Sequence, residues 1–166
     1  HYLPALGTMV PYGLVGFGRR RPTLRYVILL VDTSGSMATS VVYAGVAASV
    51  LASIPSLSAR LVLFDTAVVD VSDQVGDPVS LLFGLRLGGG TNIDRALTYA
   101  RQAITRPGDT VVVLLSDLFE GGSKEGVVRQ VGGLLADGVS VVVLLALSDG
   151  GAPRYNTALA QELADL

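Results

Sequence analysis

At 166 residues the chain is long enough to bury a substantial core within one domain. Half of its residues are hydrophobic, only 16% are charged and mean hydropathy is +0.56, as expected where elements are covered on both faces. A net charge of −2 argues against nucleic acid or an anionic membrane as partner, and the lack of cysteine removes disulfides, thiol catalysis and thiolate metal sites. No apolar run reaches bilayer-spanning length and no signal peptide is recognisable, so a cytoplasmic protein is expected. The chain starts at His1 without an initiator Met and stops inside a helical pattern at Leu166. It reads as a fragment of a longer protein, lacking a final strand and helix.

Residues 1–24 are rich in Gly and Pro (Gly7, Pro11, Gly13, Gly16, Gly18, Pro22) and keep no period of 2 or 3.6, which predicts an extended N-terminal arm. Arg19-Arg20-Arg21 reads as a solvated charge run. His1, the sole histidine, lacks the fixed surroundings that a general base needs. The domain proper is assigned to 25–166. Arg25–Val31 is a strand without polar alternation, the pattern of a parallel-sheet centre. Thr39 or Ser40 caps a helix over Val41–Ile54, ended by Pro55. Arg60–Phe64 is a second strand, and Asp65-Thr66 turns it into a short third strand, Val68–Val71, antiparallel and at an edge. Asp77 caps a short helix through Pro78–Phe83.

Beyond the glycine run, Asn92 to about Ile104 is amphipathic, with Ile93, Ala96, Leu97, Ala100 and Ile104 on one face. After a turn at Arg106–Asp109, Thr110–Leu115 forms a buried strand ending at Ser116-Asp117. Ser123–Ala136 is helical and stopped by Asp137-Gly138, Val139–Leu147 is a further strand, and Asn156 caps a last helix carrying Leu159, Leu163 and Leu166. Strands alternating with helices argue for a doubly wound, Rossmann-like α/β sheet with helices on both faces.

The chemistry concentrates where the first strand runs into Asp32-Thr33-Ser34-Gly35-Ser36. One carboxylate and two hydroxyls at alternate positions are hard oxygen donors, suited to a small hard cation such as Mg²⁺. Three oxygens do not fill an octahedron, and Gly88-Gly89-Gly90-Thr91-Asn92 and Ser116-Asp117 are the segments able to supply more. Each piece has an ordinary reading alone: a helix-capping turn, a glycine loop without the G-x-x-x-x-G-K-[ST] of a phosphate site, a common strand end. Their joint occurrence, in this order, outweighs those readings.

The series D-x-S-x-S, then T, then D resembles the metal-ion-dependent adhesion site (MIDAS) of von Willebrand factor type A (VWA) domains. The resemblance implies strand order 3-2-1-4-5 with strand 3 antiparallel. It also implies that Ser34, Ser36 and Thr91 hold the ion directly while Asp32 and Asp117 act mostly through bound waters. Mg²⁺ is the expected ion, with Mn²⁺ or Ca²⁺ as alternatives, and a partner protein's Asp or Glu completes its shell. In open α/β sheets ligands gather outside the carboxyl ends of the strands where the order reverses, here between strands 1 and 4. The texture around Phe64-Asp65-Thr66 and Leu87–Asn92 resembles bacterial intracellular VWA proteins of the CoxE-like group, which implies work alongside a MoxR-type AAA+ ATPase.

The rival class is a Mg²⁺-dependent hydrolase or phosphotransferase on the same sheet edge, but no Lys or His falls within the motif segments, so no catalytic residues are assigned. Asp65-Thr66, Phe119-Glu120 and Ser148–Gly151 are expected to rim the binding face. Phe119 is read as folded back into the core in preference to an exposed hot spot. Asp70, Asp73 and Asp77 are expected at the opposite edge, binding nothing, and Asp32→Ala is expected to leave the fold intact.

Overall fold

A computed structural model describes residues 2–3, 8–9, 26–37, 46, 50, 54, 57–74, 89–146 and 154–166. Its frame is a five-stranded sheet: β1 (Tyr26–Asp32), β2 (Ser58–Phe64), β3 (Val68–Asp70), β4 (Thr110–Ser116) and β5 (Ser140–Leu145). The strand order is β3-β2-β1-β4-β5, and only the β2–β3 pairing is antiparallel. The expected 3-2-1-4-5 topology is thus the observed one. Tyr2–Leu3 and Thr8–Met9, within the arm expected to be extended, pair as a separate two-stranded antiparallel sheet.

β1 is the central strand because nothing on it needs water: Val27 to Asp32 are all buried. Side chains alternate between faces along a strand. Ile28 and Leu30 therefore enter one apolar cluster with Val62, Phe64, Val112 and Leu114, while Leu29 and Val31 join Met37, Leu61 and Leu63 on the other side. The first cluster is closed by α1 (Ile93–Ala103), α2 (Lys124–Ala136) and α3 (Thr157–Ala164). The expected caps are in place, with Asn92, Ser123 and Asn156 accepting from the N–H groups of Arg95, Gly126 and Leu159. Gly138 leaves α2 at φ +88°, the left-handed stop that glycine permits. Of the helix expected over Val41–Ile54, Val46 and Val50 are helical, Ile54 is not, and the remainder lies outside the described residues, as does the expected Pro78–Phe83 helix.

Two features differ from expectation. β5 is not buried on both faces: Val141, Val143 and Leu145 pack against the helices, but Val142 and Leu144 are about two-fifths exposed. Continuous hydrophobicity signals double burial only in an interior strand, and β5 ends the order of the described sheet. Asp70 is the second. Rather than a bystander, it accepts hydrogen bonds from Ser72, Tyr99 and Arg60, fastening β3 to β2 and α1. Burial works against its charge, but hydrogen bonds from Ser72 and Tyr99 prevail and hold its carboxyl below the usual range. Asp73 is exposed next to it, and Asp77 lies outside the described residues.

Inside α2, Gly132 and Gly126 make opposite predictions. A Cβ at Gly132 meets nothing within 4 Å, whereas one at Gly126 would lie 2.5 Å from the Asp94 carboxylate. Gly132→Ala should stabilise the protein by about 0.5–1 kcal/mol through helix propensity alone. Gly126→Ala should lose that gain to the clash. Paired thermal melts would show the first variant melting above wild type and the second below the first.

Candidate metal centre

Parallel pairing delivers Asp32 to the sheet's reversal point. It pairs with Phe64 on β2 and lies one step beyond the Val31–Leu115 pair, opposite Ser116. The Ser116 hydroxyl donates to Asp32 Oδ2 at 2.7 Å and the Ser34 N–H donates to Oδ1 at 2.9 Å, so both carboxylate oxygens are engaged. The loop after Asp32 is fixed at three points. Thr33 bonds the Phe64 carbonyl with both its N–H and its hydroxyl, Met37 N–H closes a 3₁₀ turn onto Ser34, and the Met37 side chain is fully buried. That turn leaves the hydroxyl oxygens of Ser34 and Ser36 only 3.2 Å apart, the first buried and the second exposed.

Asp117, just past β4, is 1% exposed. Its Oδ1 accepts from Phe119 N–H at 3.1 Å, whereas Oδ2 is buried with no hydrogen-bond partner. Its carbonyl accepts from Asn156 N–H at 2.8 Å, tying the start of α3 to the site. Between Asp117 and Phe119, Leu118 adopts φ +58°, a conformation costing a leucine on the order of 1–2 kcal/mol. Leu118 is completely buried and Phe119 is 53% exposed beside the carboxylate, so the expected core placement of Phe119 is corrected. Thr91 is buried, and its carbonyl accepts from Gly121 N–H in the loop that follows Asp117. Its neighbour Asn92 donates to the Asp65 carbonyl, which holds the Asp65-Thr66 hairpin against the same segment.

The contacts therefore unite Asp32, Ser34 and Ser36 directly, link Asp117 to Asp32 by charge, and reach Thr91 through the backbone of Gly121. Burial is the main reason the Asp32 carboxyl titrates above its ordinary value; hydrogen bonds from Ser34 and Ser116 oppose it and the Asp117 charge adds to it. The donor chemistry suits a hard cation: two carboxylates, one with an orphaned buried oxygen, and two adjoining hydroxyls. Among the described residues no group of three or more His, Cys, Asp or Glu competes with this set. Sequence reasoning named the Ser116-Asp117 segment without giving Ser116 its own role, and passed over Asn156 as a participant. Ser116 could have been found, because a hydroxyl in register with the motif carboxylate is a ready donor to it. Nothing local marks the backbone contact of Asn156. The expected rim segment Ser148–Gly151 lies outside the described residues.

Solved structures place this architecture. The von Willebrand factor type A protein from Catenulispora acidiphila superposes with a TM-score of 0.68 at 17% identity, over 86% of this chain and 37% of that one. The SpRpn10 VWA domain superposes at 0.63 and 14% identity, over 86% and 81%. The fold is thus that of a VWA domain. The sequence matches the family of VWA domain containing CoxE-like proteins across residues 5–166, and the chain belongs to that family. It is also 44% identical over 140 residues to YehP of Escherichia coli (strain K12), which takes in 84% of this chain but only 37% of that protein's length. VWA domains are in general protein-interaction modules rather than enzymes. Among the described residues no helix is long and apolar enough to cross a membrane.

Because Asp32 accepts two buried hydrogen bonds, Asp32→Ala would strand the Ser116 hydroxyl and the Ser34 N–H at a cost of about 1–3 kcal/mol. Asp32→Asn is the cleaner replacement. A carboxyl whose folded pKa is raised destabilises the fold once ionised; that penalty is complete above the folded pKa and vanishes as pH falls through the ordinary value of 3.8. In EDTA at neutral pH, Asp32→Asn should therefore melt no lower than wild type, with the difference narrowing on acidification through that window. A widening difference toward low pH would contradict the assigned direction.

Proposed function

We propose that the domain is a metal-dependent protein-binding module that holds a divalent cation at its sheet reversal and presents it to an Asp or Glu of a partner. Mg²⁺ is the leading candidate, with Mn²⁺ or Ca²⁺ able to substitute. Ser34, Ser36 and Thr91 would contribute hydroxyls, with Asp32 and Asp117 as the anionic members. The observation that carries this reading is the buried, unpartnered Oδ2 of Asp117 close to the charge of Asp32. Two buried carboxylates repel each other, and an unsatisfied polar atom costs about 1–3 kcal/mol; a cation removes both penalties together. Neutral hydroxyls leave much of the ion's charge uncompensated, which favours an incoming carboxylate. Exposed Phe119 beside Asp117 supplies an apolar contact next to that charge, the combination found at interface hot spots.

A hydrolase reading is weaker on the same geometry. Both oxygens of Asp32 already accept hydrogen bonds, which leaves it poorly placed as base or nucleophile. The CoxE-like membership supports a partner among MoxR-type AAA+ ATPases or their substrates, met in the bacterial cytoplasm.

Thermal melts in EDTA and in excess Mg²⁺ test the reading. Wild type should gain about 2.7 kcal/mol of stability at a hundredfold excess over Kd, and Thr91→Ala should gain much less. Phe119→Ala should keep the Mg²⁺ shift yet lose metal-dependent retention of the MoxR-type ATPase. Equal melting of wild type with and without Mg²⁺, Mn²⁺ or Ca²⁺ would sink the metal site.

A further inference from the structure

The segment carrying Thr91 is held to the Asp117 loop by a device that the motif does not contain. Glu120 lies three residues beyond Asp117, and its two carboxylate oxygens point in different directions. Oε2 accepts the N–H of Ile93, the first residue of α1, at 2.5 Å; Oε1 accepts the N–H of Gly122 at 2.7 Å. The next residue, Gly121, donates its N–H to the Thr91 carbonyl at 2.9 Å. Consecutive residues of one loop thus grip the chain at two points, the carbonyl of Thr91 itself and the N–H two positions on.

Space around this clasp is tight. A Cβ at Gly121 would lie 2.9 Å from the Thr91 carbonyl oxygen, and one at Gly122 would lie 2.8 Å from Glu120 Oε1. Neither glycine can be enlarged without displacing what it touches. The grip also suits the helix it holds. Ile93 carries one of the N–H groups that a helix leaves unbonded at its start, Asn92 already serves Arg95, and a carboxylate is favoured at that end by the helix dipole. With both oxygens on backbone donors, Glu120 joins the loop to the start of α1.

We propose that Glu120 is a positioning residue for the metal centre, fixing Thr91 relative to Asp117 before the cation arrives and so setting cation affinity. The proposal rests on the metal-site reading above. Groups that orient metal ligands from outside the coordination shell typically change affinity by 10–100-fold. Glu120 and Gly121 act on Thr91 through its backbone, so their effect should be transmitted through the Thr91 hydroxyl and through nothing else in the site.

The test uses the full chain with Mn²⁺ as probe, titrated calorimetrically into wild type, Glu120→Ala, Glu120→Gln, Thr91→Ala and the Glu120→Ala/Thr91→Ala double variant. Glu120→Ala should bind Mn²⁺ about tenfold more weakly. Glu120→Gln, whose amide offers a single acceptor oxygen, should fall between it and wild type, and the double variant should match Thr91→Ala alone. Wild-type affinity in Glu120→Ala, or a second tenfold loss on adding it to Thr91→Ala, would overturn the assignment. Amide hydrogen exchange in EDTA separates this failure from failure of the metal reading. The amides of Ile93 and Gly122 should exchange faster in Glu120→Ala and Glu120→Gln while those of β1 keep their protection. If wild type binds no Mn²⁺ but these amides respond, the metal reading falls and the clasp stands as a purely structural contact; if they do not respond, the clasp itself is wrong.

Discussion

The hydrogen bond from the Ser116 hydroxyl to Asp32 is where the sheet and the site become one object. It joins the ends of β1 and β4, the adjacent strands between which the chain reverses its direction of winding. The same oxygen also accepts the N–H of Leu118, so one hydroxyl holds a buried carboxylate with one bond and begins the turn of the next loop with the other. Buried charges persist in folded proteins only where hydrogen bonds or counter-charges surround them. Here the apolar strands carry Asp32 into the interior and the serines of two loops make that tolerable. The requirement that Asp32 be both buried and bonded explains why the loops at this edge are so closely tied.

Much of this was legible from residue order. The uninterrupted apolar character of Tyr26–Val31 and Thr110–Leu115 marked central parallel strands, and the short Asp65-Thr66 spacing marked an antiparallel edge. The helix caps Asn92, Ser123 and Asn156 could be read because capping is a local interaction, complete within four residues. All five candidate ligands could be named because the motif is a matter of spacing, and topology then forces its segments to one edge. The placement of Val142 and Leu144 was not legible in the same way. Whether an apolar strand is covered on one face or two depends on what packs against it, and periodicity carries no record of that.

Phe119 shows a different limit. Leucine and phenylalanine side by side offer two burial choices of similar hydrophobic worth, and the choice falls to Leu118, which packs in the cluster of Val112 and Leu114. Glu120 is similar. Its sequence neighbourhood reads as a rim loop, and its role emerges only once α1 is seen to begin within reach of its carboxylate. Interactions between distant segments through backbone atoms leave the weakest trace in a sequence, since any residue supplies an N–H or a carbonyl. Glycine is the exception, since it stands where a Cβ would collide, as at Gly121 and Gly122.

The burial of Leu118 at a left-handed torsion has a consequence for how this loop tolerates length changes. Despite that torsion Leu118 enters the same apolar cluster as Val112 and Leu114, so the loop keeps the facing that the even positions of β4 establish. Insertion or deletion of a single residue between Ser116 and Leu118 would break that phase and send the wrong side chain inward, even with every amino acid type retained. Redesign of this loop is therefore a matter of exchanging residues in place at constant length.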